Sequence, residues 1–187
     1  PSTSNLRFGY TQGVDVRKKL ISLWNVYSFF NTYAAIDGIT KEQLEMRDGE
    51  QPTELLDQWI LSLLQELIEE CETALEGYNP VVAMKRIDYF MDVLSNWYVR
   101  RSRRRFWKNE NDNDKLCAYK TLYHVLKTFT RVLAPLLPFV SEAMYQELRS
   151  ENDPESVHLS DYPKADKSLR LAHLTEQMDY VLRIVEL

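Results

Sequence analysis

Leu20, Leu23, Trp24, Tyr27, Phe30 and Ala34 follow one another at steps of three and four, which describes one face of a helix from Val14 to Ala35. Phe29 and Tyr33 widen that face, so this helix is expected to be buried on more than one side. A polar connection follows from Ile36 to Pro52, closed by Gly49 and Pro52 and longer than most helix–helix links. Leu56, Trp59, Ile60, Leu63, Leu67, Cys71, Ala74 and Leu75 then set a second helix over Thr53 to Glu76. Gly77 supplies a left-handed stop for it, while Asn79 and Pro80 read as N-cap and first turn of a third helix reaching Trp107. Counted at 100° per residue, Phe90, Leu94, Trp97 and Tyr98 form its buried stripe, and Arg101 and Arg105 continue it.

Asn109 to Asn113 read as a turn, with Asp114 capping a fourth helix through Leu133. Pro135 and Pro138 break it, a short helix follows from Phe139 to Arg149, and a linker leads to a last helix beginning near Lys167. Strict alternation and hairpin turns are lacking. The pattern predicts an all-α fold: an antiparallel bundle of four main helices plus short accessory helices. It forms a single domain over 1–187, with a core bundle at 14–150 and a linker and final helix at 151–187.

Composition narrows the chemistry. Five glycines in 187 residues leave no Gly-rich loop to cradle a phosphate, and two cysteines, Cys71 and Cys117, exclude a disulfide framework and a cysteine zinc site. His124, His158 and His173 lack the i, i+4 partner of a helical metal site, and no nucleophile elbow occurs. Glu66, Glu69, Glu70 and Glu72 read as the solvated face of the second helix. We therefore expect no catalytic residue, cofactor or metal within this chain. A secretory signal and a membrane span are not expected either, and a cytoplasmic location is.

Net charge is −5, yet residues 100–108 read RRSRRRFWK, with five arginines and one lysine in nine positions. Nearby acids are too few to pair them all, and guanidinium offers planar, bidentate hydrogen bonds to phosphate. The adjoining Phe106 and Trp107 suit unpaired bases, which stack on aromatic rings and guanidinium planes, better than a duplex groove. The block is thus a candidate RNA contact. Four other readings remain open: a nuclear-localisation-like patch, a calmodulin-binding or membrane-surface helix, internal ion pairs to the second helix, and docking of an acidic protein by an interaction or scaffold bundle.

Several stretches together resemble the helical anticodon-binding domain of class I aminoacyl-tRNA synthetases, in particular the isoleucyl family. They are LWNVYSFFNTYAAID at 23–37, LDQWILSLLQELIEE at 56–70, LSNWYVRRSRRRFWK at 94–108, APLLPFVSEAMYQEL at 134–148 and ESVHLSDYP at 155–163. The likeness extends from Leu6 to the last helix, and the arginine run is its most specific part. It implies a longer ligase that joins isoleucine to its tRNA with ATP, with this bundle gripping the anticodon stem-loop beside a catalytic domain. The H-x-G-H and K-M-S-K-S signatures of such ligases are absent here, so the chain alone is expected to be inactive, and any zinc would lie in other parts of the parent. The sequence ends at IVEL within what reads as a continuing helix, as expected of an excised piece. On this resemblance Arg100, Arg103, Arg104 and Lys108 are assigned to anticodon-arm phosphates and Trp107 to stacking on a base. Arg101 and Arg105 are open to either helix packing or tRNA contact, and Trp24, Tyr27, Trp97 and Tyr98 are assigned to the core. DNA and membrane are not expected partners.

Overall fold

In the computed structural model, which describes residues 9–46, 50–108 and 112–186, the principal elements are helical and the described residues contain no strand. Helix α1 spans Tyr10–Ile36, the short α2 Lys41–Leu44, and α3 Leu55–Glu76. A single continuous rod then combines α4 (Pro80–Asp92), a π-helical segment (Val93–Val99) and α5 (Arg100–Trp107). Helices α6 (Asn113–Leu133), α7 (Pro138–Leu148) and α8 (Ala172–Glu186) complete the chain, with 3₁₀ turns at Val157–Leu159 and Lys167–Leu169.

Contacts fix the directions. Arg86 pairs with Glu70 and Arg105 with Asp57, so α3 and the α4–α5 rod run antiparallel. Phe90 meets Phe129 and Phe106 meets Tyr119, which opposes the rod and α6. Lys19 pairs with Asp88 and Phe29 packs on Phe106, so α1 runs parallel to the rod. The four long elements therefore alternate in direction along the chain, as expected for an antiparallel bundle.

Helix α3 is its axis. Trp59, Ile60, Leu61, Leu63, Leu64, Leu67 and Ile68 are all buried, because the helix is apolar around most of its circumference. Two polar side chains in this run, Ser62 and Gln65, accept hydrogen bonds from the backbone N–H groups of Leu171 and Asp166. These bonds hold the connection that leads into α8 against α3. Leu182 and Thr175 of α8 are buried there too, so residues 151–186 pack on the core bundle.

Several boundaries differ from the expectation. Asp112, not Asp114, caps α6: its carboxylate accepts from the Lys115 N–H at 2.8 Å. The expected turn at 109–113 lies mostly outside the described residues, as do residues 47–49 with Gly49. Part of the 36–52 connection is ordered as α2 by a capping box between Thr40 and Gln43. The expected last helix start at Lys167 is only a 3₁₀ turn.

The left-handed cap expected at the α3 stop is present, but it falls on Tyr78 (φ 53°) rather than Gly77. The Asn79 N–H bonds the Ala74 carbonyl and the Tyr78 N–H that of Leu75, a Schellman closure whose left-handed position is usually glycine. At the end of α1 the same closure has Gly38 (φ 64°) in that place.

The π segment corrects the helical wheel. The buried positions of the rod are Phe90, Leu94, Tyr98, Ser102 and Phe106, four residues apart each time. In a straight α-helix such a series drifts by about 40° per step and spreads over about 160°. Hydrogen bonding from i to i+5 places more residues in each turn and takes the drift back. Phe106 consequently faces the core, Arg101 is exposed, and Arg105 sits at the boundary. Trp24 is also corrected: it is 42% exposed rather than core, and Trp97 is half-buried, whereas Tyr27 and Tyr98 are buried.

Candidate nucleic-acid interface

One end of the bundle gathers the C-termini of α1 and α5 and the N-termini of α3 and α6. Charge is concentrated there, and it divides into two layers.

The inner layer is closed. Asp57, on the first turn of α3, is fully buried. Arg105 grips it bidentately, Nη1 to Oδ1 at 2.7 Å and Nη2 to Oδ2 at 2.8 Å. Its Nε donates to Asp114 Oδ1 at 2.7 Å and Nη2 also reaches the Asp114 carbonyl at 3.1 Å. The Tyr98 hydroxyl donates to Asp57 Oδ1 at 2.8 Å. Asp57 also lies where the α3 N-terminus favours negative charge. Burial costs the guanidinium, but the hydrogen bonds and charge of Asp57 outweigh it and hold Arg105 protonated far above any physiological pH. Burial, with Asp57 beside it, raises the Tyr98 phenol well above its usual range. Of the two roles left open for Arg105, packing is therefore the one the geometry fills.

Beside this layer, Lys115 pairs with Asp37 at 2.6 Å, and the Tyr119 hydroxyl donates to the same carboxylate. Burial pushes Asp37 upward, yet these bonds prevail and its carboxyl lies below the ordinary range.

The outer layer is open. Arg100, Arg101, Arg103 and Arg104 are exposed and make no ion pair among the described residues. The guanidinium of Arg101 lies over the Trp97 ring, 5.0 Å from its centroid, a cation–π contact. Trp107 is 52% exposed and sits 6.4 Å from the Tyr33 ring. Lys108 differs from its neighbours: its Nζ pairs with Asp114 at 2.7 Å and Asp112 at 3.4 Å, and the hydrogen bond it donates to Asp114 raises its pKa. Its charge is thus partly spent at the helix junction.

Helix α5 spreads these groups over its outward half. Arg100 and Arg104 lie one turn apart at its centre, Arg103 and Trp107 toward α1, and Arg101 toward α8. A cleft of about 640 Å³ runs along the last side, lined by Asn96, Trp97, Arg100, Arg101, Arg104 and Val185. Trp97, Asn96 and Val185 were not expected at the site, since the straight wheel turns Trp97 inward and no sequence signal brings α8 alongside.

Asp57 and Asp114 are already engaged, so among the described residues this surface offers unneutralised, planar donors beside two indoles. That suits phosphates and unpaired bases. Among the described residues no group of His, Cys, Asp and Glu is placed to hold a metal ion, and no helix is long and apolar enough to cross a membrane.

Comparison with known proteins agrees with this chemistry. Isoleucine–tRNA ligase of Dehalococcoides mccartyi (strain 195) is 51% identical over 176 residues, 92% of this chain and 17% of the relative. The enzyme of the same name from Thermobifida fusca is 47% identical over 173 residues, again 92% of this chain and 16% of the relative. That from Treponema denticola is 42% identical over 177 residues, 90% of this chain and 16% of the relative. The chain therefore spans about a sixth of the length of the curated relatives it matches. Residues 57–187 match the family model described as the anticodon-binding domain of tRNA ligase, and the chain belongs to that family.

Proposed function

We propose that this chain is the part of an isoleucine–tRNA ligase that holds the anticodon stem-loop of isoleucine tRNA, next to a catalytic domain of the same parent chain. The observation that carries the reading is the row of exposed guanidiniums on α5 without carboxylate partners among the described residues, in a chain of the anticodon-binding family. Arg100, Arg103 and Arg104 engage backbone phosphates of the loop. Trp107 stacks on an unpaired base, and Lys108, already paired with Asp114, adds a weaker long-range pull. Arg105 acts from behind by fixing α5 to α3 and α6. The parent uses ATP in its catalytic domain and works in the cytoplasm, and any zinc belongs to that parent's other parts. This chain itself supplies binding and orientation.

The experiment is a titration of labelled isoleucine-tRNA anticodon stem-loop against the 187-residue chain at low and moderate salt, with a valine-type loop as control. Saturable binding that weakens steeply with salt and prefers the isoleucine loop is the expected result. Equal affinity for both loops would reduce the role to a phosphate grip, and no binding at low salt would refute it. Trp107→Ala should weaken loop RNA more than duplex RNA of equal length; equal losses would remove the stacking role.

A further inference from the structure

The cleft between the rod and α8 has a construction that a phosphate grip alone does not require. Its floor is the π segment, which contributes Asn96 and Trp97, and its charged wall is Arg100, Arg101 and Arg104. Its far wall is Val185 on α8, an apolar residue that is 58% exposed. Arg101 is the unusual member. It is exposed and makes no ion pair among the described residues, and its guanidinium carbon lies 5.0 Å from the Trp97 ring centroid. A guanidinium over an indole can take a planar group on its opposite face, and Arg101 lines the opening of the cleft. Asn96 Nδ2 donates to Asp92 at 2.6 Å, which leaves its carbonyl oxygen to accept from a ligand.

Arg100 and Arg104 stand one helical turn apart, and like charges at that spacing are mildly unfavourable to the helix. An anion between them removes the conflict. The site therefore combines a two-point anion clamp, a stacking platform and a hydrogen-bond acceptor within one opening large enough for a single nucleotide.

Resting on the RNA reading above, we propose that this cleft receives one unpaired nucleotide, its phosphate between Arg100 and Arg104 and its base on the Arg101–Trp97 pair. The cleft is then the base-holding part of the interface. Arg103, on the other flank of α5, contributes charge alone.

The test compares a short single-stranded RNA and an RNA duplex of equal charge, each titrated against the chain and three variants of it. Arg101→Lys keeps the charge and loses the plane. It should weaken the single strand roughly tenfold and change duplex affinity less than twofold. Val185→Trp fills the far wall without touching an arginine and should do the same. Tyr78→Gly, at the opposite end of the bundle, should leave both RNAs within twofold. Helicity of each variant by circular dichroism separates a binding loss from a folding loss. Equal losses on both RNAs for Arg101→Lys, or no loss for both Arg101→Lys and Val185→Trp, overturn the cleft assignment while the RNA reading stands. Failure of the unaltered chain to bind either RNA overturns both.

Discussion

Arg105 and Arg104 are adjacent in sequence and identical in chemistry, yet one is a structural residue and the other a surface one. Arg105 is 14% exposed and spends its donors on Asp57, Asp114 and the Asp114 carbonyl. Arg104 is exposed, without an ion pair among the described residues, and lines an open cleft. One step of about 100° around the helix separates the two fates. A run of like charges is therefore not a single functional unit. Its members are sorted by the acids that the fold brings against each face.

The largest expected effect tests the inner member of this pair. Arg105→Ala leaves the fully buried Asp57 carboxylate without its counter-charge and should cost about 3–5 kcal/mol of stability in urea unfolding. A loss below about 1 kcal/mol would mean that Arg105 is as dispensable to the fold as its outward neighbours.

A second, smaller effect sharpens the same layer. Asp37→Asn weakens the tie to the buried Lys115 and should cost about 1–3 kcal/mol at pH 7. The folded state holds the Asp37 carboxyl below its ordinary value of 3.8, so the unfolded chain binds the proton more readily. The contribution is accordingly full above that value and is lost as pH falls through the lower folded one. Unfolding midpoints of the two proteins should therefore converge below about pH 4. A gap that stays constant to pH 3 would contradict this assignment.

The smallest effect is a control at the opposite end of the bundle. Tyr78 holds a left-handed conformation that glycine adopts without strain, so Tyr78→Gly should stabilise the chain by about 0.5–1 kcal/mol. RNA affinity should not change. A matching change in affinity would show that stability and binding are not separable in this molecule.

Much of this was legible in the sequence. Apolar steps of three and four gave α1, α3 and α6 because each buries a broad stripe, and Asn79–Pro80 marked the start of α4 through cap chemistry that is local. The site was legible as a segment and less so as a surface. A π-helical turn has no simple periodic signature, so the wheel misplaced Arg101 and Trp97. The sorting of Arg105 depended on Asp57, 48 residues away, and its one sequence signal is an acid inside the apolar run LLDQWILSLL. The cleft needed α8, whose docking runs through Ser62 and Gln65 and has no counterpart in helical periodicity.

The central claim is that the outward arginines bind phosphate while the inward one builds the fold. Its most direct test is the salt dependence of anticodon stem-loop affinity for the unaltered chain and for a variant carrying Arg100→Ala, Arg103→Ala and Arg104→Ala. Three lost phosphate contacts should flatten the slope of log affinity against log salt by about 2–3, with helicity and melting temperature retained. An unchanged slope in a folded variant would contradict the account.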